Sequence, residues 1–412
     1  MNKPAAAIVV DEMPPARRSL RIAVVTETWP PEVNGVAVTV ARTVEGLRAR
    51  GHDLQLVRPR QTHGDAAGDP QSMQEVLLRG LPIPRYPHLR MGLPATGALV
   101  SLWAHKRPDV VHVATEGPLG WSALQAARRL RLPVTTDFRT NFHAYSRHYG
   151  MGWLYKPIAS YLRRFHNRAG CTMVPTESLR SELQAAGFQR TLVVARGVDT
   201  QRFTPLLRSD ALRSSWGAGP GDTVVLHVGR LAPEKNLDTL LLAFEAMRRQ
   251  SSSVRLVLVG DGPLRDELRA RCPDVIFAGL RSGVDLATHY ASGDLFLFPS
   301  LTETFGNVTP EALASGLPVL AYDYAAAAQL VKTGVNGACV PYGDRATFVH
   351  QALAWAEDLV TARAMGAAAR ETALGLDWER VVRQVEAAFL SVMLQHQVRG
   401  LSSTLTAGWS AP

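Results

Sequence analysis

Glu303 and Glu311 stand eight residues apart in the stretch Pro299-Ser300-Leu301-Thr302-Glu303-Thr304-Phe305-Gly306-Asn307-Val308-Thr309-Pro310-Glu311. Thr309 and Pro310 have the chemistry of an N-cap and a first helical residue, and Gly316 that of a helix stop. The spacing therefore puts Glu303 in a loop and Glu311 in the first helical turn. Gly306 has no side chain just where the backbone amides ahead of that helix could meet a phosphate. Two carboxylates so placed can serve different parts of one ligand, one beside the reacting group and one on a ribose diol. The alternative is that Glu311 complements the helix dipole and Glu303 is solvated.

Cations occur in a second loop, Gly229-Arg230-Leu231-Ala232-Pro233-Glu234-Lys235-Asn236, which leads into an amphipathic helix from Leu237. Arg230 and Lys235 bracket that loop and can direct positive charge at one anion, or else are surface charge on a helical turn. Gly260-Asp261-Gly262-Pro263 is half of a dinucleotide fingerprint with no third glycine, which argues against an oxidoreductase. In the first half of the chain, Asn34-Gly35-Val36 combines a helix cap with room for close backbone approach. Thr115–Gly120 and Arg139-Thr140-Asn141-Phe142-His143 follow apolar runs and supply further polar groups.

These residues need strands to present them. Continuous apolar runs separated by amphipathic helices mark parallel strands buried on both faces. Six such runs fall in the first half, at 22–27, 54–58, 110–114, 134–138, 172–175 and 192–195. Six more follow at 224–229, 255–260, 275–278, 295–299, 319–322 and 338–340. The expected fold is α/β, with two Rossmann-like doubly wound domains facing across a cleft, and ligands sit at the carboxyl ends of such strands. Residues 1–20 read as a disordered tail, 21–198 as the first domain and 199–376 as the second. The helical pattern at 377–398 has no strand after it, so it either packs on its own domain or crosses back to the first; beyond Gly400 the chain reads as frayed.

Composition sets the outer bounds. The chain has 412 residues and is 46% hydrophobic, which fits two globular cores. Its three cysteines are far apart, with no C-x-x-C, so neither a disulfide framework nor a zinc cluster is expected. The absence of any long apolar run points to a cytoplasmic protein with no membrane span. Residues 1–200 carry 26 Lys and Arg against 15 Asp and Glu, whereas the remainder carries 19 against 21. The first half thus holds the whole basic excess, for which an anionic membrane face or an anionic ligand is preferred to nucleic acid, since no nucleic-acid-binding motif accompanies it.

Taken together, Glu303–Glu311, the Arg230–Asn236 loop, Gly260-Asp261-Gly262 and Asn34-Gly35-Val36 resemble the retaining glycosyltransferases of family 4, which have the GT-B fold. The resemblance runs from Arg21 to about Gln397, and is nearest to GDP-mannose-dependent mannosyltransferases and sulfoquinovosyl-type glycolipid transferases. It implies that Arg230 and Lys235 neutralise a departing nucleotide diphosphate and that Gly306, Asn307 and Val308 give amides to it. It further implies that Glu311 holds the ribose hydroxyls, that Glu303 contacts the transferred sugar, and that Asn34 and Gly35, with Gly260 and Gly262, belong to the donor side. Such relatives usually carry a His in a Phe-His-Thr-Asn-Phe segment beside the donor sugar; here Arg139 stands in its place and His143 lies four residues on. Arg139 cannot act as a base, so either Arg139 contacts an acidic sugar or phosphate, or His143 reaches the site.

The expected activity is transfer of a hexose from a nucleotide sugar, with mannose from GDP-mannose preferred, to a hydroxyl of a lipid or glycan. A UDP-sugar-dependent glycolipid transferase (glucose, glucuronate or sulfoquinovose) is the alternative, followed by an epimerase or phosphorylase of the same fold. No cofactor is expected, and the lack of an Asp-x-Asp pair gives a sequence reason to expect metal independence. Aromatics and cations interleave over 147–168 (His148, Tyr149, Trp153, Tyr155, Lys156, Tyr161, Arg163, Arg164, Phe165, Arg168), as in a helix resting on the inner face of an anionic membrane; a helix packed on the sheet with a solvated basic face is the other reading.

Overall fold

A computed structural model describes residues 19–32, 34–62, 64–66, 68, 73–83, 86–139 and 155–407. The first sheet has seven parallel strands in the order β3-β2-β1-β6-β7-β8-β9. They are β1 (Arg21–Val25), β2 (Asp53–Pro59), β3 (Gln74–Leu78), β6 (Val110–Val113), β7 (Val134–Asp137), β8 (Cys171–Val174) and β9 (Thr191–Val193). A separate antiparallel hairpin, β4 (Gly80–Ile83) and β5 (Tyr86–Gly92), follows β3. The second sheet has six parallel strands in the order β12-β11-β10-β13-β14-β15. They are β10 (Thr223–Val228), β11 (Val254–Val259), β12 (Ile276–Gly279), β13 (Leu295–Phe298), β14 (Val319–Tyr322) and β15 (Gly337–Val340).

The central strands are buried end to end, with Val224, Val225 and Leu226 of β10 and Leu295, Phe296 and Leu297 of β13 at zero exposure. That is the signature of parallel strands covered on both faces, and it explains why their sequences read as unbroken apolar runs. In both sheets the strand order reverses beside the first strand, at β1/β6 and at β10/β13. The loops that leave these strands open on the crevice that such a reversal creates. All the loops singled out in the sequence leave the carboxyl ends of strands in one sheet or the other.

The sequence reading differs from the structure at three places. β3, whose Gln-Glu-Val-Leu-Leu residues are all half-buried at a sheet edge, and the Pro-containing hairpin β4–β5 lack the apolar run that marks the other strands. Leu20, placed in the tail, is fully buried, and its amide donates to His52 Nδ1 at 3.1 Å. The last helix runs from Trp378 to Ala407, past the expected fraying point at Gly400.

That helix packs on the first domain. Val381, Val382, Val385, Ala388, Phe389 and Met393 join the core formed by Ile22, Val24, Val40 and Leu56. Its Glu386 accepts from Arg50 Nη2 at 2.5 Å and lies 3.0 Å from His52 Nε2. Among the described residues no helix is long and apolar enough to cross a membrane.

Candidate active site

The Arg230 loop is built by close packing. A Cβ at Gly260 would collide with the Gly229 carbonyl, and one at Gly262 with the backbone of Leu231. Leu231 N donates to Asp261 O at 3.0 Å, and Leu264 N donates back to Leu231 O at 3.0 Å. Gly260 and Gly262, read from the sequence as donor-binding, therefore brace the cationic loop, their backbone approach spent on Gly229 and Leu231. Pro233–Lys235 form a 3₁₀ turn, and Asn236 adopts a left-handed conformation that starts the helix Leu237–Gln250.

Leu301 N donates to Glu234 O at 3.0 Å and joins this loop to the one after β13. There Lys235 Nζ donates to Glu303 Oε1, which also accepts from Ser300 Oγ at 2.8 Å. Tyr324 fixes the Glu303 backbone by donating its hydroxyl to the carbonyl at 2.9 Å. Lys235 lies 5.4 Å from the centre of the Phe298 ring, and both members of the Lys235–Glu303 pair are mostly buried. Arg230 is more exposed, with its guanidinium 3.7 Å from the buried carboxylate of Glu234.

The helix after this loop spans Val308–Ala314 with Asn307 as its N-cap, so it begins earlier than a Thr309 cap predicts. Pro310 then falls in the first turn, where its missing N–H removes no bond the helix would make. Gly306 has φ +87°, in the left-handed region that favours glycine. Glu311 is held by Tyr290, whose hydroxyl donates to Oε2 at 3.0 Å. Burial pushes the Glu311 carboxyl up to about 7, against the downward pull of the Tyr290 bond and of Arg202.

The first domain reaches the same place. Asn34 Oδ1 accepts from Val36 N at 3.1 Å and Ala37 N at 2.8 Å, capping the helix Gly35–Ala49. Its Nδ2 donates to Thr28 Oγ1 at 2.7 Å, so this side chain shapes the loop. Gly35 meets the second domain directly: Asn307 Nδ2 lies 3.5 Å from Gly35 O, and a Cβ on Gly35 would come within 3.2 Å of it.

Arg139 is buried and ion-paired with Asp137, which His112 Nε2 also approaches at 3.2 Å. Despite the cost of its burial, Asp137 is held well below the usual carboxylate range by Arg139 and His112. His143 lies outside the described residues. So do His148, Tyr149 and Trp153 of the 147–168 segment. Within the rest of it, Phe165 is fully buried in the core and Tyr161 donates to Glu116 O at 2.6 Å. Arg168 stacks 4.4 Å over Trp121. Lys156, Arg163 and Arg164 remain exposed.

The structure thus brings together Glu303, Lys235, Gly306, Asn307 and Gly35, with Arg230 on the adjoining loop and Glu311 in the first turn of the helix that follows. Two participants were not read from the sequence: Tyr290 and Arg196. Arg196 Nη1 donates to Asn307 Oδ1 at 3.2 Å. Its sequence signal, an arginine inside an otherwise apolar strand-to-linker passage, reads only as a domain break.

Two doubly wound domains, each sending strand-end loops to a common cleft, define the GT-B class of glycosyltransferase. Sucrose-phosphate synthase from Thermosynechococcus elongatus shares the fold, with a TM-score of 0.74 at 19% identity over 91% of this chain and 99% of that one. The family profile described as Glycosyltransferase Family 4 matches residues 33–202, and that described as Glycosyl transferases group 1 matches 222–358. A GDP-mannose-dependent alpha-mannosyltransferase of Mycobacterium tuberculosis is 36% identical over 87% of this chain and 93% of its own length. Sulfoquinovosyl transferase SQD2 of Arabidopsis thaliana is 29% identical over 89% of this chain and 72% of its own length. The chain belongs to the family 4 glycosyltransferases.

Proposed function

We propose that this chain transfers mannose from GDP-mannose, with retention, to a hydroxyl of a lipid or glycan acceptor. The observation that carries the reading is the Lys235–Glu303 pair, set beside the Gly306–Val308 turn and facing Gly35 of the other domain. As the bond from the anomeric carbon to the diphosphate oxygen breaks, negative charge grows on the leaving group and positive charge on the sugar. Lys235 and Arg230 suit the first and Glu303 the second, because fixed charges cost no reorganisation during the step. The acceptor oxygen bonds the anomeric carbon on the face the diphosphate leaves, and its proton passes to the departing phosphate. Glu311, steadied by Tyr290, suits the ribose diol.

Arg139 bears on the choice of sugar. Its charge is matched by Asp137, so the side chain is poorly disposed to select a carboxylate or sulfonate on the donor. That favours a neutral hexose over sulfoquinovose or glucuronate, and the similarity to enzymes named as GDP-mannose-dependent points the same way. The exposed cations Lys156, Arg163 and Arg164 support contact of the first domain with an anionic membrane that would present a lipid acceptor.

Thermal protection by GDP, UDP, GDP-mannose, UDP-glucose and UDP-glucuronate, in the presence of EDTA, tests the donor. A ligand at about 100 times its Kd adds roughly 2.7 kcal/mol of stability. Selective protection by GDP and GDP-mannose is expected. Selective protection by UDP-glucuronate would overturn the neutral-hexose reading and return specificity to Arg139.

A further inference from the structure

Arg196 follows β9 on the passage between the two domains, and the residue is 8% exposed. Burial of a guanidinium is expensive and is normally met by a carboxylate with good geometry. Among the described residues Arg196 has none. Its hydrogen-bond partner is the neutral amide of Asn307, at 3.2 Å, and the ring of Phe305 lies 5.6 Å from its guanidinium carbon. A second buried cation, Arg139, is close enough to repel it, and the one carboxylate near both, Asp137, is already ion-paired with Arg139. Among the described residues, the buried Arg139 Nε has no hydrogen-bond partner. Burial and Arg139 push the Arg196 guanidinium down to about 9.

Among the described residues, the two guanidiniums thus have Asp137 as their shared neighbouring carboxylate, at the wall where the domains touch. The location adds to the argument. Asn307 accepts from Arg196 on Oδ1 and directs Nδ2 at the Gly35 carbonyl, so Arg196 sits beside a direct contact between the two domains. Glu303 is near enough for its charge to act on Arg196 as well.

We propose that Arg196 is a third cation of the donor site, which with Arg230 and Lys235 binds the diphosphate of the nucleotide sugar from the first domain's side of the cleft. This rests on the nucleotide-sugar reading above. An arriving diphosphate would supply the negative charge that this pair of arginines lacks, and a guanidinium matches phosphate oxygens in geometry.

The test is calorimetric binding of GDP and guanosine, with UDP and uridine in parallel, to the wild type and to R196M, R196K and K235A. R196M is expected to lose at least about tenfold in affinity for the nucleoside diphosphate, on the scale of a hydrogen bond to a charged group. Its affinity for the nucleoside should stay unchanged, and R196K should recover part of the loss. Because an uncompensated buried charge is removed, ligand-free R196M should melt no lower than the wild type. A clearly lower melting point with equal losses for nucleotide and nucleoside would make Arg196 a structural residue and overturn the proposal. Unchanged diphosphate affinity in R196M, with K235A weakened, would overturn it while leaving the donor reading intact. Failure of the wild type to bind either diphosphate would remove both.

Discussion

Tyr290 donates its phenolic proton to Glu311 Oε2 at 3.0 Å, from a ring that is fully buried edge-on against Phe203. The phenol fixes one carboxylate oxygen, and the other is the one that the proposed ribose contact would use. Burial has pushed the Glu311 carboxyl up to about 7, so it loses its charge as the pH falls through neutrality. An uncharged carboxyl accepts ribose hydroxyls less well, and the donor KM should therefore rise below about pH 7. Y290F removes a bond that favours the ionised form, so in that variant the rise should begin at higher pH. A donor KM that is flat across neutrality would disconnect Glu311 from the donor.

The same buried carboxyl affects stability with a definite sign, and Glu27 adds to it. Glu27 accepts from Leu119 N at 2.9 Å, capping the helix Pro118–Arg129 where Gly117 has no side chain to do so, and burial pushes it up to about 7 as well. Between the ordinary value of 4.5 and about 7 the folded state holds protons that the unfolded chain has released. Stability contributed by these groups is full below that window and is lost as the pH rises through it. The Tm of the ligand-free protein should fall across this range, less steeply in E311Q. A Tm rising through the window would contradict the assignment.

Much of this was legible in the sequence for a physical reason. Strands buried on both faces must be apolar throughout, so the inner strands of the second domain could be read, as could its half-buried edge strand β12, whose Ile276-Phe277-Ala278 run is apolar as well, and Lys235 and Glu303 stand in loops that follow two of the inner strands. The edge strand Gln74–Leu78 was not legible, because half-burial admits the polar Gln74 and Glu75, which leave no continuous apolar run. Arg196 and Tyr290 were missed because their partners are set by tertiary packing. Asn307 is 111 positions from Arg196, and Glu311 is 21 from Tyr290, so neither pair has a local pattern. Gly260 and Gly262 show the converse: the motif is visible, but only packing reveals that their missing side chains admit the Arg230 loop.

Lys235 and Glu303 are bonded to each other before any donor arrives. K235A and E303A should each lose at least about 100-fold in transfer rate, the scale of removing one charge-stabilising group. Because each variant also frees the other partner, the double variant should lose far less than the product of the two. Single-turnover transfer measures all three; near-normal turnover in either single variant would displace the pair from the chemistry.

In the proposed reaction Arg230 and Lys235 meet the charge on the leaving group. Transfer by the wild type should accordingly persist in excess EDTA, whereas K235A should not be rescued by added magnesium or manganese. A rate abolished by EDTA and restored by one of those ions would place a metal in the step and withdraw the leaving-group role from Lys235.

The last helix holds to the first domain through a contact whose sign can be read. Gly46 lies within the helix Gly35–Ala49, where alanine would normally be favoured by about 1 kcal/mol. A Cβ there would run into Val382 of the last helix, with Val382 Cβ and Cγ1 both at 3.3 Å. Both γ-methyls and the β-carbon of that valine are close and its χ1 is stiff, so rotation offers no escape. Overpacking should then outweigh helix propensity, and G46A should destabilise the protein by about 1–3 kcal/mol in denaturant unfolding. Arg50 and His52, which share Glu386 on the same helix, should make E386A destabilising in the same assay. A stabilised G46A would mean that propensity has won, and that the last helix lies looser on the first domain than the Val382 contact requires.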